Sequence, residues 1–375
     1  MAAIDALMRA ALALPIIAIP ARAGAVESGE VGFALFGYKE RGLMKVTEPI
    51  AWVKARVAEH WDVQASAAVD IVTGASPQLV SNQSGRPVQS ITGASVSDRR
   101  NTWDAKVARR IGEATVAVSR AVSREEDYIS HAFGLEARYE LNDRHTTLIA
   151  GYGKASDRVR SSDDPLLDEP RATREYLAGV AQVLSPLAAV QSTVTRTEGR
   201  GWFDDPYKVT VTFYPDAPVV VAPDRRPASR GTLAWLTRYR QHVPGVGGTL
   251  QADYRYYRDD WGVRAHTLEV AWQQALDGRW SLRPALRYHT QGAAGFYSPT
   301  VPRPQPEVHS SDQRLAAFGG ITPSLRVIAR LDAGTTVEAT LGYMHNAASL
   351  RAGSGSPAFE TLHAAYGIVS IAHEF

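Results

Sequence analysis

Residues 279–292 (RWSLRPALRYHTQG) place Trp280, Leu282, Pro284, Leu286 and Tyr288 at one parity, and Ser281, Arg283, Arg287, His289 and Gln291 at the other. A period of two is that of a β-strand, whose successive side chains point to opposite faces. Two arginines on one face require water there, while the other face is built for an apolar medium. A strand with water on one side and lipid on the other belongs to the wall of a transmembrane β-barrel. Residues 249–257 repeat the pattern, with Leu250, Ala252, Tyr254 and Tyr256 against Gln251, Asp253 and Arg255. So do 128–141, where Phe133, Leu135, Ala137 and Tyr139 oppose Ser130, Glu136, Arg138 and Glu140, and 61–71, where Trp61, Val63, Ala65, Ala67 and Val69 oppose Asp62, Gln64, Ser66 and Asp70.

The connections between such segments come in two kinds that take turns. Short ones fall near 59–60, 111–113, 142–144, 184–186, 243–248, 277–278 and 332–334. Most of the others are longer and polar, at 73–98, 157–170, 199–229, 295–312 and 346–357. Short periplasmic turns alternating with long outer loops are a barrel signature. The pattern predicts an all-β fold: a single transmembrane antiparallel barrel of ~16 strands, short periplasmic turns and long extracellular loops. Residues 207–222 (YKVTVTFYPDAPVVVA) read as a small hairpin inside an outer loop; if both arms crossed the wall the count would rise to ~18. Pro323 is out of place inside the strand expected at 312–331, because proline lacks the ladder donor.

The ends of the sequence agree. Residues 10–19 (AALALPIIAI) form an apolar run followed by small-x-small sites, so residues 1–25 are expected to be an export signal and 26–375 the barrel. The run is far shorter than the ~20 residues of a spanning helix. At the other end, residues 359–375 finish on Phe375, as a closing strand with an interfacial aromatic does, although His373 shares its outward parity. The chain has no cysteine, which excludes disulfides and Cys-ligated metals, and its net charge of +2 offers no nucleic-acid footprint.

Three kinds of candidate site follow. Arg283, Arg287 and His289, with Asp253, Arg255 and Glu269, form a mixed patch on the water-facing wall; such charges set selectivity in a pore or brace the wall. Asp204, Asp205, Asp259, Asp260 and Asp312 lie in outer loops, where carboxylates suit Ca²⁺ but equally solvate turns or pair with nearby arginines. Asp259, Asp260 and His266, or His309 and Ser311, supply residue types of a rim hydrolase, without a Gly-x-Ser-x-Gly or His-Glu-x-x-His motif. His266, His289, His309 and His363 show no metal-ligand spacing. No cofactor is expected apart from that loop Ca²⁺.

Particular words also stand in a telling order: YKE at 38–40, TGASP at 73–77, SDRR at 97–100, DPYK at 205–208, YRYYRDDWGVRAH at 254–266, RYHTQGAAGFY at 287–297 and SDQRL at 311–315. Over nearly the whole mature chain the sequence resembles an uncharacterised bacterial family of outer-membrane barrels, domain of unknown function 3570. The resemblance implies an outer-membrane barrel of a Gram-negative bacterium and no established activity. It also implies gene neighbours that hint at a periplasmic redox or lipoprotein partner. The expected function is a channel or transport component for small polar solutes. The alternatives are a plugged, non-conducting barrel serving such a partner and a rim-active hydrolase. Expected partners are outer-membrane lipid, lipopolysaccharide and the barrel-assembly machinery.

Overall fold

The computed structural model of the chain describes residues 26–41, 44–74, 77–83, 86–91, 96–212, 220–301 and 304–375. The expected export signal lies outside the described residues. The strands, in chain order, are β1 (Val26–Glu40), β2 (Met44–Val57), β3 (Trp61–Gly74), β4 (Pro77–Gln83), β5 (Arg86–Ile91), β6 (Val96–Ile111), β7 (Ala114–Arg124), β8 (Tyr128–Leu141), β9 (Thr146–Arg160) and β10 (Asp168–Ser185). They continue as β11 (Ala188–Gly201), β12 (Val209–Thr212), β13 (Val220–Pro223), β14 (Ser229–Val243), β15 (Gly248–Asp259), β16 (Arg264–Ala275), β17 (Trp280–Gln291), β18 (Phe318–Arg330), β19 (Thr335–Ala347) and β20 (Leu362–Glu374).

Sixteen of these close one antiparallel barrel in sequence order, leaving β4–β5 and β12–β13 as separate two-stranded hairpins. The strands β12 and β13 within the expected loop hairpin at 207–222 therefore lie outside the wall, and the barrel has 16 strands. The β4–β5 hairpin inside the first long loop has no counterpart in the alternation of the sequence. Short turns occupy one end of the barrel and the long loops the other. The tight turns need left-handed backbone, which Ala58, Glu59, Asn142, Asp143 and Arg144 adopt without glycine, at φ between 50° and 68°.

The outer wall exposes Val31, Leu35, Val116, Val118, Leu135, Leu148, Val180, Val194, Val270, Leu286, Leu325, Leu341, Val369 and Ile371, a continuous apolar surface. No helix among the described residues is long and apolar enough to cross a membrane. The lipid-facing band is made of strands, whose ladder satisfies every backbone group without water.

Closure is made by β1 and β20, paired from Glu30↔Glu374 to Glu40↔Ala364. Phe375 extends that ladder by exchanging hydrogen bonds with Gly29, at 2.8 and 2.9 Å. Its ring lies where a side chain at 29 would sit: a Cβ there would come within 2.4 Å of it. The ring itself stays 61% exposed, as an interfacial aromatic does. His373, the polar intruder on this face, is bonded through Nδ1 to the Thr335 hydroxyl opposite it at 3.0 Å, so its place by the short-turn end is satisfied locally.

Pro323 is accommodated by a break in the ladder. Between β18 and β19 the pairing stops at Ile321↔His345 and resumes at Ser324↔Gly342. Pro284 does the same between β16 and β17, where pairing skips from Ala271↔Ala285 to Gln274↔Leu282. Strand β18 also begins at Phe318 rather than at 312, because residues 313–315 form a 3-10 turn whose N-terminus is capped by Asp312.

Candidate functional site

The inner wall from β14 to β19 gathers the predicted patch. Pairing sets Arg238, Asp253, Glu269 and Arg287 side by side on four successive strands, and Arg255, Thr267 and His289 in a second row. All face the lumen, because Leu250, Tyr254, Leu268, Val270 and Leu286, at the opposite parity, face out. The six predicted residues therefore share one surface. Their bonds are not those of the rows. Arg283 reaches diagonally to Glu269 (Nη2–Oε1 3.1 Å) and to Gln251 (Nε–Oε1 2.9 Å). Asp253 takes Arg240 as its partner, with Arg238 3.7 Å away. His289 is held by Thr267 at 2.8 Å and by Gln291 at 3.2 Å.

Arg255 and Arg287 are different. Among the described residues neither has a carboxylate within salt-bridge distance; Arg255 lies over the Tyr257 ring at 5.4 Å, and both are exposed to the lumen. Arg326, paired with Glu338 at 3.5 Å, adds to the same wall. Arg238, Arg240, Arg326 and Glu338 were missed in the sequence, although their parity on strands β14, β18 and β19 would have revealed them. This wall has more arginines than carboxylates.

The opposite wall is balanced by close pairing. Lys54 meets Glu30 at 2.8 Å, Arg100 meets Asp70 at 3.2 Å, and Glu136 accepts from both Lys106 (3.1 Å) and Arg138 (2.7 Å). At the short-turn end a cavity of about 450 Å³ opens inside the barrel against the arginine-rich wall, lined by His242, Gln273, Asp277, Arg279, Arg330 and Glu338.

The long-loop end is built otherwise. Loops 202–228 and 292–317 are stitched into one layer: Arg225 and His309 exchange backbone hydrogen bonds at 3.0 and 2.8 Å, and Val301 N–H donates to Val211. The first arm of the β12–β13 hairpin is buried, Thr210 at 0% and Thr212 at 1% exposure, while Val220 and Val221 of the second are exposed. Tyr207 reaches the β7–β8 turn through Asp127 and the β9–β10 loop through Ser162. On the far side, Gln313 accepts from the Glu360 N–H, and Phe359 stacks on the ring of Phe318 at 4.6 Å. The layer thus bridges loops from distant parts of the rim. Its apolar heart is Trp261, Val263, Ala294 and Leu315, with Phe203 and Phe296 edge-on to Trp261.

Inside this cap lies an ion cluster. Arg226 donates to Asp224 (2.6 Å) and Asp312 (2.9 Å), and its backbone N–H to Asp204 (2.6 Å). Arg314 binds Asp312 and Asp205, at 2.5 Å each. Burial alone would raise the Asp312 carboxyl, but Arg314 and Arg226 outweigh it and hold it at about 2. Burial wins at Asp224 and Asp204, which lie above the ordinary carboxylate range despite Arg226. It also lowers Lys208, with Asp312 and Asp205 opposing.

The predicted cation candidates thus divide. Asp204, Asp205 and Asp312 belong to the cap cluster. Asp259 is taken by Arg230 (2.7 Å), Tyr257 (3.0 Å) and the Val263 N–H (2.9 Å), and Asp260 by the Gly231 N–H (2.8 Å). All five are committed to arginines or backbone donors. Among the described residues no group of three or more His, Asp or Glu is arranged to hold a metal ion. The residues of the hydrolase reading stay apart. His266 faces outward and bonds the Tyr254 hydroxyl at 2.7 Å. His309 is held by Gln305 and the Pro306 carbonyl, and Ser311 donates to the Val209 carbonyl.

A closed antiparallel barrel with an apolar exterior and a charged interior defines the class: a β-barrel of the outer-membrane type. The chain belongs to the family described as Protein of unknown function (DUF3570), whose model matches residues 4–357. No curated protein matches it. Among solved structures, it is similar to a bacterial polysaccharide outer membrane secretin, at 10% identity and a TM-score of 0.51 over 92% of this chain and 98% of that one. It is also similar to CdiB from Acinetobacter baumannii, at 7% identity and a TM-score of 0.51 over 92% of this chain and 60% of that one. At these identities the likeness is one of fold.

Proposed function

We propose that this protein resides in the outer membrane and is a channel for small polar solutes that prefers anions and is gated by its outer loops. The observation that carries the reading is the pair Arg255 and Arg287, which face the lumen with no carboxylate partner among the described residues. A lumen charge left uncompensated attracts counter-ions and sets selectivity, whereas a paired one mainly braces the wall. The cavity beneath, with Arg279 and Arg330 on its wall, supports a water path at the periplasmic end.

The cap favours a second reading, a barrel closed to solutes that serves as the membrane partner of a periplasmic assembly. Planar-bilayer conductance separates the two. The wild type is compared with a variant carrying Arg226→Ala and Arg314→Ala, which removes the guanidinium groups holding the cap. If the channel reading holds, the variant conducts with anion preference, and adding Arg255→Glu and Arg287→Glu reverses that preference. A folded variant that stays silent overturns the channel and leaves the closed barrel, for which co-purification of a periplasmic lipoprotein is the next measurement.

A further inference from the structure

The outer face of the barrel carries a charge pattern that a channel function leaves unused. On β7 to β10 the ladder sets Arg120 opposite Phe133, Phe133 opposite Lys154 and Lys154 opposite Arg174. All four point outward and are exposed. Residues opposite each other in a ladder lie roughly 5 Å apart at Cβ, so the three cations line one cross-strand row. Arg124 and Arg200, outward on β7 and β11, extend the row toward the long-loop rim. Among the described residues none of these five cations has an ion-pair partner. The row ends at Glu198, directly opposite Arg174 on β11, whose carboxylate is engaged by Arg196 (2.9 Å), and Asp168 is engaged by Arg158 (2.6 Å) and Arg160 (3.4 Å). Glu126 is the exposed acid at the adjoining β7–β8 turn.

The level of the row matters. One step toward the periplasm on the same strands lie Leu135, Tyr152 and Tyr176, exposed, with the two tyrosine rings 5.5 Å apart. Aromatics of this kind mark the membrane interface. A cation on a barrel's lipid face costs roughly 2–4 kcal/mol at mid-membrane but 0–1 near the interface. The row therefore sits where headgroups begin, on the long-loop side. At comparable positions β16 to β20 present His266, Tyr288, Ile321, Tyr343 and Ala365, and outward cations such as Lys39 opposite Lys45 and Arg258 opposite Arg264 form pairs on two strands rather than a row across four.

We propose that the outer face of β7–β11 binds the phosphate groups of an anionic glycolipid of the outer leaflet, with Arg120, Lys154 and Arg174 as phosphate ligands. Guanidinium groups bind phosphate bidentately and lysine binds it as a point charge, so an uncompensated cluster next to a lipid-exposed apolar band matches a phosphorylated headgroup with its acyl chains below. The proposal rests on the outer-membrane reading but not on conductance.

Native mass spectrometry of the full-length barrel in detergent tests it, with bisphosphorylated lipid A, its dephosphorylated form and phosphatidylglycerol as probes. Wild type should retain the bisphosphorylated glycolipid at least ~10-fold better than the dephosphorylated form, as a multivalent charged contact predicts. The Arg120→Gln, Lys154→Gln, Arg174→Gln variant, shown to be folded by heat-modifiable migration, should lose that difference. Arg258→Gln and Arg264→Gln, elsewhere on the outer face, should keep it. Equal retention by wild type and the triple variant, or no dependence on phosphate, overturns the site. Phosphatidylglycerol bound as well as the glycolipid overturns the assignment to the outer leaflet.

Discussion

Arg226 in the cap and Arg283 in the wall each hold carboxylates within the perimeter of one barrel, yet they do so in different media. The carboxylate of Asp312 that faces Arg226 is 4% exposed, whereas that of Glu269 facing Arg283 is 35% exposed. The cap ions are bound by protein and have nowhere else to go. The wall ions compete with water. Opposite charges thus serve as mortar at one level and stay open to the lumen at the other, and the degree of burial separates the two.

This contrast breaks most sharply at Arg226. Arg226→Ala leaves Asp224 and Asp312 buried without that guanidinium, and breaking a buried pair costs ~3–5 kcal/mol. Limited proteolysis of the folded barrel should then cut within 202–228, where the wild type resists. Acid acts on the same cluster. The Asp312 carboxyl is lowered from 3.8 to about 2, so the stability it contributes is complete above its unfolded value and is lost as pH falls from about 4 to 2. Asp204 and Asp224, raised instead, become more compatible with the folded cap as they take up protons, and so oppose this loss. Protease sensitivity of the cap should rise below about pH 4, with the strand signal in circular dichroism retained, and Asp312→Asn should abolish that acid step.

At the wall the expected effects are smaller. Arg255→Glu with Arg287→Glu should shift the anion-to-cation permeability ratio about several-fold without changing the thermal midpoint, measured as a reversal potential in the cap-opened background. Arg283→Ala breaks a pair whose carboxylate is 35% exposed and should cost ~1 kcal/mol or less in unfolding, because solvent screens such a pair. A loss at Arg283 as large as that at Arg226 would erase the distinction between the two clusters.

The wall was legible in the sequence because each strand face meets a different solvent, which forces alternation at every position, as at Glu269 and Leu268. Register was not legible. Glu269 lies opposite Arg287 but bonds Arg283, a diagonal choice that side-chain length decides and spacing does not. The β12–β13 hairpin announced itself through the runs VTV and VVV on either side of Pro215-Asp216, while the burial of its first arm did not. The cap's core comes from Trp261 and Val263 in the β15–β16 connection and from Ala294 and Leu315 in the β17–β18 connection, four residues that no periodicity of the sequence draws together. Asp312 read as the start of a strand, whereas its side chain caps the 3-10 turn before it.

The ladder breaks at Pro284 and Pro323 fall on the two outer sides of one strand pair. Between them β17 and β18 are joined without interruption from Trp280↔Ala329 to Gln291↔Phe318. That hairpin is the part of the perimeter most weakly sewn to its neighbours, and it carries both Arg287 and the 292–317 arm of the cap. Pulled from the membrane by a cantilever tip, the barrel should tear along these two perforations. Arg287 and half of the cap should then leave together as one ribbon.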